Sequence, residues 1–341
     1  MIQQLKRDVL QLAEQFNRIE INTDRLQRAK AFFDKGEFGE ARAVLETELE
    51  QMQSEQTYLL SRKEQYEKEI LPKLTNNSEE FFILALSTQV DYTNPNRFED
   101  TCRYFELSIE SEVTKDNLFQ YAFFLAEHTQ YPKAANYYNQ YLNKFANKLS
   151  LEENAMTLNN LAVLHRNQNE YEKALKEFEE ALEIRRNLAE NNPQTYLSDV
   201  AVTLNNLANL HRNQNEYEKA LKEYEEALEI YRNLAKDNSQ TYLSDVAMTL
   251  NNLAILHDDQ NEYEKSLKEY EEALGIYRNL AEDNPQAYLP NVAMTLNNLA
   301  ILHDDQNEYE KSLKEFEEAL GIYRNLAEDN PQAYLPNVAM T

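Results

Sequence analysis

The sequence has very few of the residues that interrupt helices, with 4 glycines and 8 prolines among 341 residues. This scarcity favours long helices over a sheet protein with many tight turns. Tryptophan is absent and Cys102 is the single cysteine, which excludes an intrachain disulfide and a cysteine-based metal cluster. The longest purely apolar run, residues 81–86, is far shorter than the roughly 18 residues of a membrane span. We therefore expect a helical, cytoplasmic protein with no membrane partner.

Positive charge is also scarce. The chain has 34 lysine and arginine residues against 60 aspartate and glutamate residues, and its formal net charge is −26. A field of this sign repels a phosphate backbone, so we expect no nucleic-acid partner.

What the sequence does have is a repeat of 46 residues. Its third and fourth copies differ at a single position, where Tyr270 is replaced by Phe316. A fixed period of this size indicates a stacked array, in which each unit buries its apolar face against its neighbours. We place the array at residues 155–341. Its four copies are residues 157–202, 203–248, 249–294 and 295–340.

Each copy predicts two helices with a polar turn between them. In the third copy, apolar residues recur at spacings of three and four over residues 250–256 and 263–280. The turn lies at residues 258–261, and Pro285 ends the second helix. The charged residues of the second helix should form a solvated face with weak i,i+4 pairs. These residues are Glu264, Lys265, Lys268, Glu269, Glu271 and Glu272.

Residues 1–154 keep helical patterns without the strict period. Residues 1–23 predict an amphipathic helix that either packs on the neighbouring helical pair or self-associates. Residues 24–154 predict divergent helical pairs, including a long helix near 37–71 with a heptad-like seam. An Asn-Asn-Ser segment at residues 76–78 should end this section.

The regular copies resemble tetratricopeptide repeats. The small and large apolar residues that carry the resemblance in the first copy are Leu158, Leu161, Ala162, Tyr171, Ala174, Phe178 and Ala181. The unit is longer than the usual period of about 34 residues. Together with the segment TLNNLA and the loop at residues 284–293, this is similar to the extended repeats of kinesin light chain and nephrocystin-type proteins. The resemblance implies an all-α fold, a right-handed α-solenoid of antiparallel helix pairs after a divergent, partly coiled-coil-like N-terminal region. It implies a protein or peptide partner.

The resemblance also implies that the first helix of each pair lines a concave groove. The groove residues it suggests are Asn159, Asn160, Arg166, Asn205, Asn206, Asn209, Arg212, Asn251, Asn252, Asp258, Asn297, Asn298 and Asp304. In similar repeat proteins, the asparagine that matches Asn160, Asn206, Asn252 and Asn298 contacts the backbone of a bound peptide. A carboxamide both donates and accepts hydrogen bonds, which suits that role. The alternative is that these asparagines bond the adjacent repeat and set the stacking angle.

Charge along this wall changes sign between copies. Residues 166–167 and 212–213 are Arg-Asn, whereas residues 258–259 and 304–305 are Asp-Asp. We therefore expect a wall that is basic early and acidic late. Its partner would be a segment of opposite polarity, or a basic segment that docks on the third and fourth copies.

The sequence does not predict an enzyme. One histidine per copy, represented by His257, stands where the family usually has a buried aromatic residue, so we expect a packing role. Its neighbour Asp258 does not face it on a helix. Motifs that recur in identical units do not form the unique convergent pocket that catalysis needs. We therefore predict no catalytic residue, no metal ligand and no cofactor.

Two features of the last copies leave alternatives open. Gly275 and Gly321 interrupt the second helix at a cost of roughly 1 kcal/mol each, so they either admit another backbone or make these copies less stable. The sequence stops at Thr341, which would open a fifth copy, so we expect a fragment of a longer array or an end that stacks on another molecule. The function we predict is a scaffold that binds a protein in its groove. The alternative is a structural protein that forms a homo-oligomer through its N-terminal helices or its array ends.

Overall fold

A computed structural model describes residues 23–47 and 49–341, together with Ala13 and Ile21. These residues form helices and turns, with no strand among them. The chain divides into two compact units, residues 1–112 and 113–341. The apolar seam predicted within residues 2–19 lies outside the described residues, so both interpretations of it stay predictions. The predicted boundaries after residues 23 and 154 stay predictions as well.

The described part of the first unit consists of helices and short turns. They span Asp24–Asp34, Phe38–Glu46, Leu49–Gln65, a π-helical turn at Tyr66–Ile70, Leu71–Gln89 and Arg97–Ser111. Thr23 caps the first of them, because its hydroxyl accepts a hydrogen bond from the Leu26 N–H. Gly36 supplies the left-handed backbone of the following turn, with φ of 78°. A small core of Ala29, Phe33, Ala41 and Val44 holds the first two helices together.

The prediction of a single long helix near residues 37–71 is wrong in its boundaries. The helical segment is interrupted at Thr47, which has an extended backbone and whose hydroxyl donates to the Val44 carbonyl. It also continues beyond residue 71, because the next helix runs to Gln89 through the segment 76–78 that was expected to end it. Ser78 is buried there, where its hydroxyl lies 3.2 Å from that of Ser108, so a residue typical of helix ends is satisfied inside a helix.

The second unit is an α-solenoid of antiparallel helix pairs, which confirms the predicted fold class. A leading pair spans Lys115–Glu127 and Tyr131–Phe145. Repeat one spans Leu151–Asn167 and Tyr171–Asn191, and repeat two spans Pro193–Asn213 and Tyr217–Asp237. Repeat three spans Ser239–Asp259 and Tyr263–Asp283, repeat four spans Pro285–Asp305 and Tyr309–Asp329, and the last helix is Pro331–Met340. The two members of each pair are called its first and second helix below.

The prediction of a loop at residues 284–293 is wrong, because the helix Pro285–Asp305 covers all of it except Asn284. Asn284 caps the first helix of repeat four by accepting from the Ala287 N–H at 3.3 Å. Pro285 takes a position in the first turn, where its missing N–H has no intrahelical partner to lose. Tyr288 and Leu289 pack against the hydrophobic core, and the helix continues past Pro290. Because these side chains are partly buried, the first helix begins at Pro285, well before Thr295, where the fourth copy begins in the sequence.

The turn within each repeat depends on an asparagine in the left-handed conformation. In repeat three this residue is Asn261, with φ of 60°. The Glu262 N–H donates to the His257 carbonyl at 2.8 Å, and the Asn261 N–H donates to the Asp258 carbonyl at 2.8 Å. These two bonds form the Schellman motif that ends many helices. The Tyr263 hydroxyl donates to Asn261 Oδ1 at 2.8 Å, which ties the second helix to the turn.

Small residues bring the paired helices together. Ala254 and Ala273 are fully buried, one on each helix of repeat three, and Tyr277 fills the adjacent space with 1% exposure. The first helices of repeats one and two, and those of repeats two and three, contact each other directly. We call the side of the array that the first helices form its inner side. It corresponds to the predicted groove.

Gly275 and Gly321 are exposed, and a Cβ added to either would meet nothing within 4 Å. Among the described residues, no other backbone comes close to these glycines, so the first alternative has no support. The second alternative, that the glycines make their copies less stable, stays a prediction. We expect Gly275→Ala and Gly321→Ala to stabilise the chain by about 1 kcal/mol each, because alanine loses less backbone entropy in a helix. Urea unfolding measures this change.

Hydrogen exchange gives the matching readout along the array. In the unaltered chain, repeats three and four should exchange their amides faster than repeats one and two, and the double alanine variant should narrow that difference. The control is Glu183→Gly, which places a glycine at the matching position of repeat one and should destabilise it by about 1 kcal/mol. Uniform protection along the unaltered array would contradict the prediction.

Candidate protein-binding groove

Residues on the inner side of the four first helices line up in three rows. The apolar row is Met156, Val202, Met248 and Met294, which are 37–41% exposed. The amide row is Asn160, Asn206, Asn252 and Asn298, which are partly exposed. The terminal row is Asn167, Asn213, Asp259 and Asp305, which are exposed. Within one helix the rows are four and seven residues apart, spacings that place their members on one helical face.

The first asparagine of each Asn-Asn pair does not face the groove. Asn205 and Asn251 are 4% and 3% exposed. Asn205 Nδ2 donates to Thr249 Oγ1 of the next repeat at 3.0 Å, and Asn251 Nδ2 donates to Thr295 in the same way at 3.0 Å. Asn159 is also buried, and Asn297 Nδ2 donates to Thr341 at 2.9 Å. These asparagines thus have the stacking role that the sequence left as an alternative.

The second asparagine of each pair is available to different extents along the amide row. Asn160 Nδ2 donates to the Tyr138 hydroxyl at 3.3 Å, and Asn206 Nδ2 donates to Asn159 Oδ1 at 3.3 Å. Within the described residues, the side chains of Asn252 and Asn298 make no hydrogen bond. Repeats three and four therefore present carboxamides whose donors and acceptor are open to a ligand.

Asn209, predicted to line the groove, has its polar atoms engaged inside the array. Its Nδ2 donates to the Asn205 carbonyl at 2.9 Å, and its Oδ1 accepts from the Tyr224 hydroxyl at 2.9 Å. Valine or isoleucine stands at this position in the other repeats. The residue thus contributes to the packing of repeat two more than to a polar surface.

The two arginines of the wall differ in their surroundings. Burial lowers the pKa of the Arg166 guanidinium. Arg212 Nε lies 3.2 Å from Asp259 Oδ2, so an ion pair joins the first helices of repeats two and three. This pair neutralises one of the two positive charges that the sequence places on the wall.

The matching place one repeat later carries charges of like sign. Asp258 occupies the position of Arg212, and Asp305 occupies that of Asp259. Burial raises the pKa of Asp258, and the nearby carboxylates of Asp305 and Asp259 raise it further. Asp304 is exposed beside them. A salt bridge therefore joins repeats two and three at this place. The equivalent place between repeats three and four has only carboxylates and no described cation.

The histidines are buried, as expected of packing residues, but each also has an acidic partner. His257 is 5% exposed, and its Nδ1 lies 2.8 Å from Oε2 of Glu269 on the second helix. The same pair recurs at 2.7–2.8 Å as His165 with Glu177, His211 with Glu223 and His303 with Glu315. The prediction that Glu269 belongs to a solvated face is wrong, because only 17% of its side chain is exposed. A constant separation of twelve residues in every copy was the signal in the sequence.

Among the described residues of the repeat second helices, the predicted i,i+4 ion pairs are replaced by i,i+3 pairs and by pairs between repeats. Arg232 NH2 lies 2.6 Å from Glu272 Oε1, which joins the second helices of repeats two and three. Equivalent pairs link Arg186 with Glu226 and Arg278 with Glu318, each at 2.6 Å. Their side chains are about half exposed, and such pairs contribute roughly 0–1 kcal/mol each.

Among the described residues, no group of three or more His, Cys, Asp or Glu side chains is placed to hold a metal ion. Among the described helices, none is long and apolar enough to cross a membrane. Cys102 is partly buried in the helix Arg97–Ser111 of the first unit.

Comparison with known proteins identifies relatives of the repeats. The family model for the tetratricopeptide repeat matches residues 153–233, 199–279 and 245–325, which together cover just over half of the chain. No curated protein matches the chain. Among solved structures, BtubC (BKLC) from P. vanneervenii is 22% identical over 75% of this chain and 92% of its own, with a TM-score of 0.51. The apo form of RapI is 18% identical over 90% of this chain and 77% of its own, with a TM-score of 0.55. At such identities the likeness concerns the fold alone.

Proposed function

Since the chain belongs to the tetratricopeptide repeat family, whose members generally act as protein-interaction scaffolds, we propose that its array binds an extended segment of a partner protein along the amide row. The observation that carries this proposal is the pair of open carboxamides at Asn252 and Asn298, held in equivalent positions on consecutive first helices. An asparagine carboxamide can accept from a backbone N–H and donate to a backbone carbonyl, so it binds a main chain of any sequence.

The surrounding wall supports the same function. The buried Asn-Thr bonds between repeats fix the spacing of the first helices, so the amide row is held in place before a partner binds. The apolar row offers partly exposed surface one turn away, where a partner side chain can be removed from water. These features suit a binding surface, and we assign no catalytic residue to them.

Selection of peptides from a random display library on the immobilised full chain tests this proposal. Affinities of the selected peptides are then measured by fluorescence anisotropy for the unaltered chain and for Asn252→Ala with Asn298→Ala. We expect the double variant to bind at least about 10-fold more weakly, since each lost carboxamide removes hydrogen bonds to the peptide backbone.

The matched control is Asn279→Ala with Asn325→Ala. These two asparagines are exposed on the second helices of the same repeats, so the control removes the same chemical groups from the outer face. Its affinity should equal that of the unaltered chain. Selected peptides that bind both variants equally well would refute binding along the amide row.

A further inference from the structure

We propose that the groove selects partner segments with an apolar side chain at every third residue and a basic side chain on the edge that meets repeats three and four. This inference rests on the proposed function and adds the chemistry of the partner. Three observations carry it: the spacing of the first helices, the position of the apolar row, and the charges of the terminal row.

The spacing of the repeats sets the period of the partner. Direct side-chain hydrogen bonds of 3.0 Å join the first helices of repeats two and three, and those of repeats three and four. Neighbouring helices bridged by such side-chain hydrogen bonds have axes on the order of 10 Å apart. An extended or polyproline-type chain advances about 3.1–3.4 Å per residue, so three residues cover one repeat. A segment that follows the array therefore meets equivalent groove positions at every third residue.

The apolar row sets the character of one edge of that segment. Three of its four members are methionines, and the fourth is Val202. Methionine side chains are flexible and polarisable, so they adapt to apolar partners of different shapes. Because the row lies one helical turn before the amide row, a backbone on the amide row directs every third side chain towards it. Apolar side chains at those positions would be removed from water.

The terminal row and its neighbours set the character of the opposite edge. Asp304 and Asp305 are exposed, and Asp258 faces carboxylates across the junction of repeats three and four. No described lysine or arginine lies within ion-pair distance of these three residues, whereas Asp259 is paired with Arg212. A cationic side chain of the partner would relieve the repulsion between the carboxylates and would be attracted by complementary charge. In a three-residue turn, apolar and basic positions point to different edges, as the two rows require.

Defined peptides test the proposal on the full chain. The probe is a fluorescein-labelled peptide of Leu-Thr-Lys triplets, one triplet for each repeat. One comparison peptide has glutamate for every lysine, and another has the same composition arranged as Leu-Leu-Thr-Thr-Lys-Lys, which breaks the period of three. We expect the Leu-Thr-Lys peptide to bind at least about 10-fold more tightly than either comparison peptide, and its affinity to fall as salt is raised. Equal affinities for the probe and either comparison peptide would overturn the proposal.

A pair of charge-matched variants locates the site. Asp258→Asn with Asp304→Asn and Asp305→Asn should weaken binding of the Leu-Thr-Lys peptide by at least about 10-fold. Glu264→Gln with Glu271→Gln and Glu317→Gln removes the same number of charges from exposed positions of the second helices. This second variant should change the affinity by less than about 2-fold, because exposed charges on the far face are screened. Equal effects of the two variants would also overturn the proposal.

The failure of this inference is distinguishable from the failure of the proposed function. Suppose that library-selected peptides lose affinity in the Asn252→Ala, Asn298→Ala variant but bind the aspartate variant normally. The groove function then stands and the chemistry inferred for the partner is wrong. Selected peptides that are insensitive to the asparagine variant would refute both.

Discussion

Replacement of Tyr277 with alanine is expected to destabilise the array by about 3–5 kcal/mol, the range for deletion of a large aromatic side chain from a packed core. Tyr277 is 1% exposed, on the second helix of repeat three. Its hydroxyl donates to the Ser244 carbonyl at 3.4 Å, and burial raises the pKa of this hydroxyl to about 12. The alanine variant would leave a cavity where the helices of repeat three meet the next repeat.

Urea unfolding followed by circular dichroism measures this effect. Because each repeat is stabilised chiefly by its neighbours, a weak third repeat should uncouple repeats one and two from repeat four, and the transition should broaden. Tyr277→Phe keeps the ring and should cost only about 1 kcal/mol, the usual value of one hydrogen bond.

Tyr309→Ala is the exposed control, since this tyrosine is 61% exposed on the second helix of repeat four. Its effect should stay below about 1 kcal/mol, because it removes only an exposed ring and the exposed hydrogen bond from its hydroxyl to Asn307 Oδ1. A loss for Tyr277→Ala no larger than that for Tyr309→Ala would show that the buried ring contributes little to the array.

The fold of the array could be predicted from the sequence because the same signal recurs in each copy. The period, the three-and-four spacing of apolar residues and the polar turn with Asn261 all indicate paired helices. The segment at residues 284–293 could not be assigned in this way, because its two prolines and its asparagines are typical of a loop. Its helical state depends on Tyr288 and Leu289 reaching the core. That is a tertiary contact, and the local conformational preferences of the residues do not predict it.

The candidate groove was predictable only in part. Asn251 and Asn252 are adjacent and identical in type, but they point about 100° apart around the helix, so one is buried and the other is open. A small error in the predicted orientation of the helix about its axis would therefore exchange the buried and the open asparagine. For this reason the sequence alone left both the groove role and the stacking role possible. The ion pair between Arg212 and Asp259 joins different repeats. Patterns within one helix do not detect such a pair, because its two members lie on different repeats at positions that are not equivalent.

The His-Glu pair within each repeat provides a second large effect. We expect His257→Ala to destabilise repeat three by about 1–3 kcal/mol, because it leaves the largely buried carboxylate of Glu269 without its hydrogen-bond partner. The loss of imidazole packing adds to this cost. Glu262 does not replace the lost partner, since it is also acidic and lies 3.7 Å from His257 Nε2 on the other side of the ring. Urea unfolding of the full chain measures the change.

The double variant His257→Phe with Glu269→Leu separates the polar contribution from the packing contribution. Replacement of both partners by apolar groups of similar shape leaves no unpaired buried group, so its cost should be well below the sum of the costs of the two single replacements. Lys265→Ala is the control: it breaks the exposed pair of Lys265 with Glu262, 2.6 Å apart, and should cost less than about 1 kcal/mol. Strictly additive costs of the two single replacements would contradict a coupled His-Glu pair. A coupled pair would mean that every repeat joins its two helices through one buried polar contact. The histidine would then be a structural residue with a defined partner, which accounts for its recurrence in all four copies without a catalytic role.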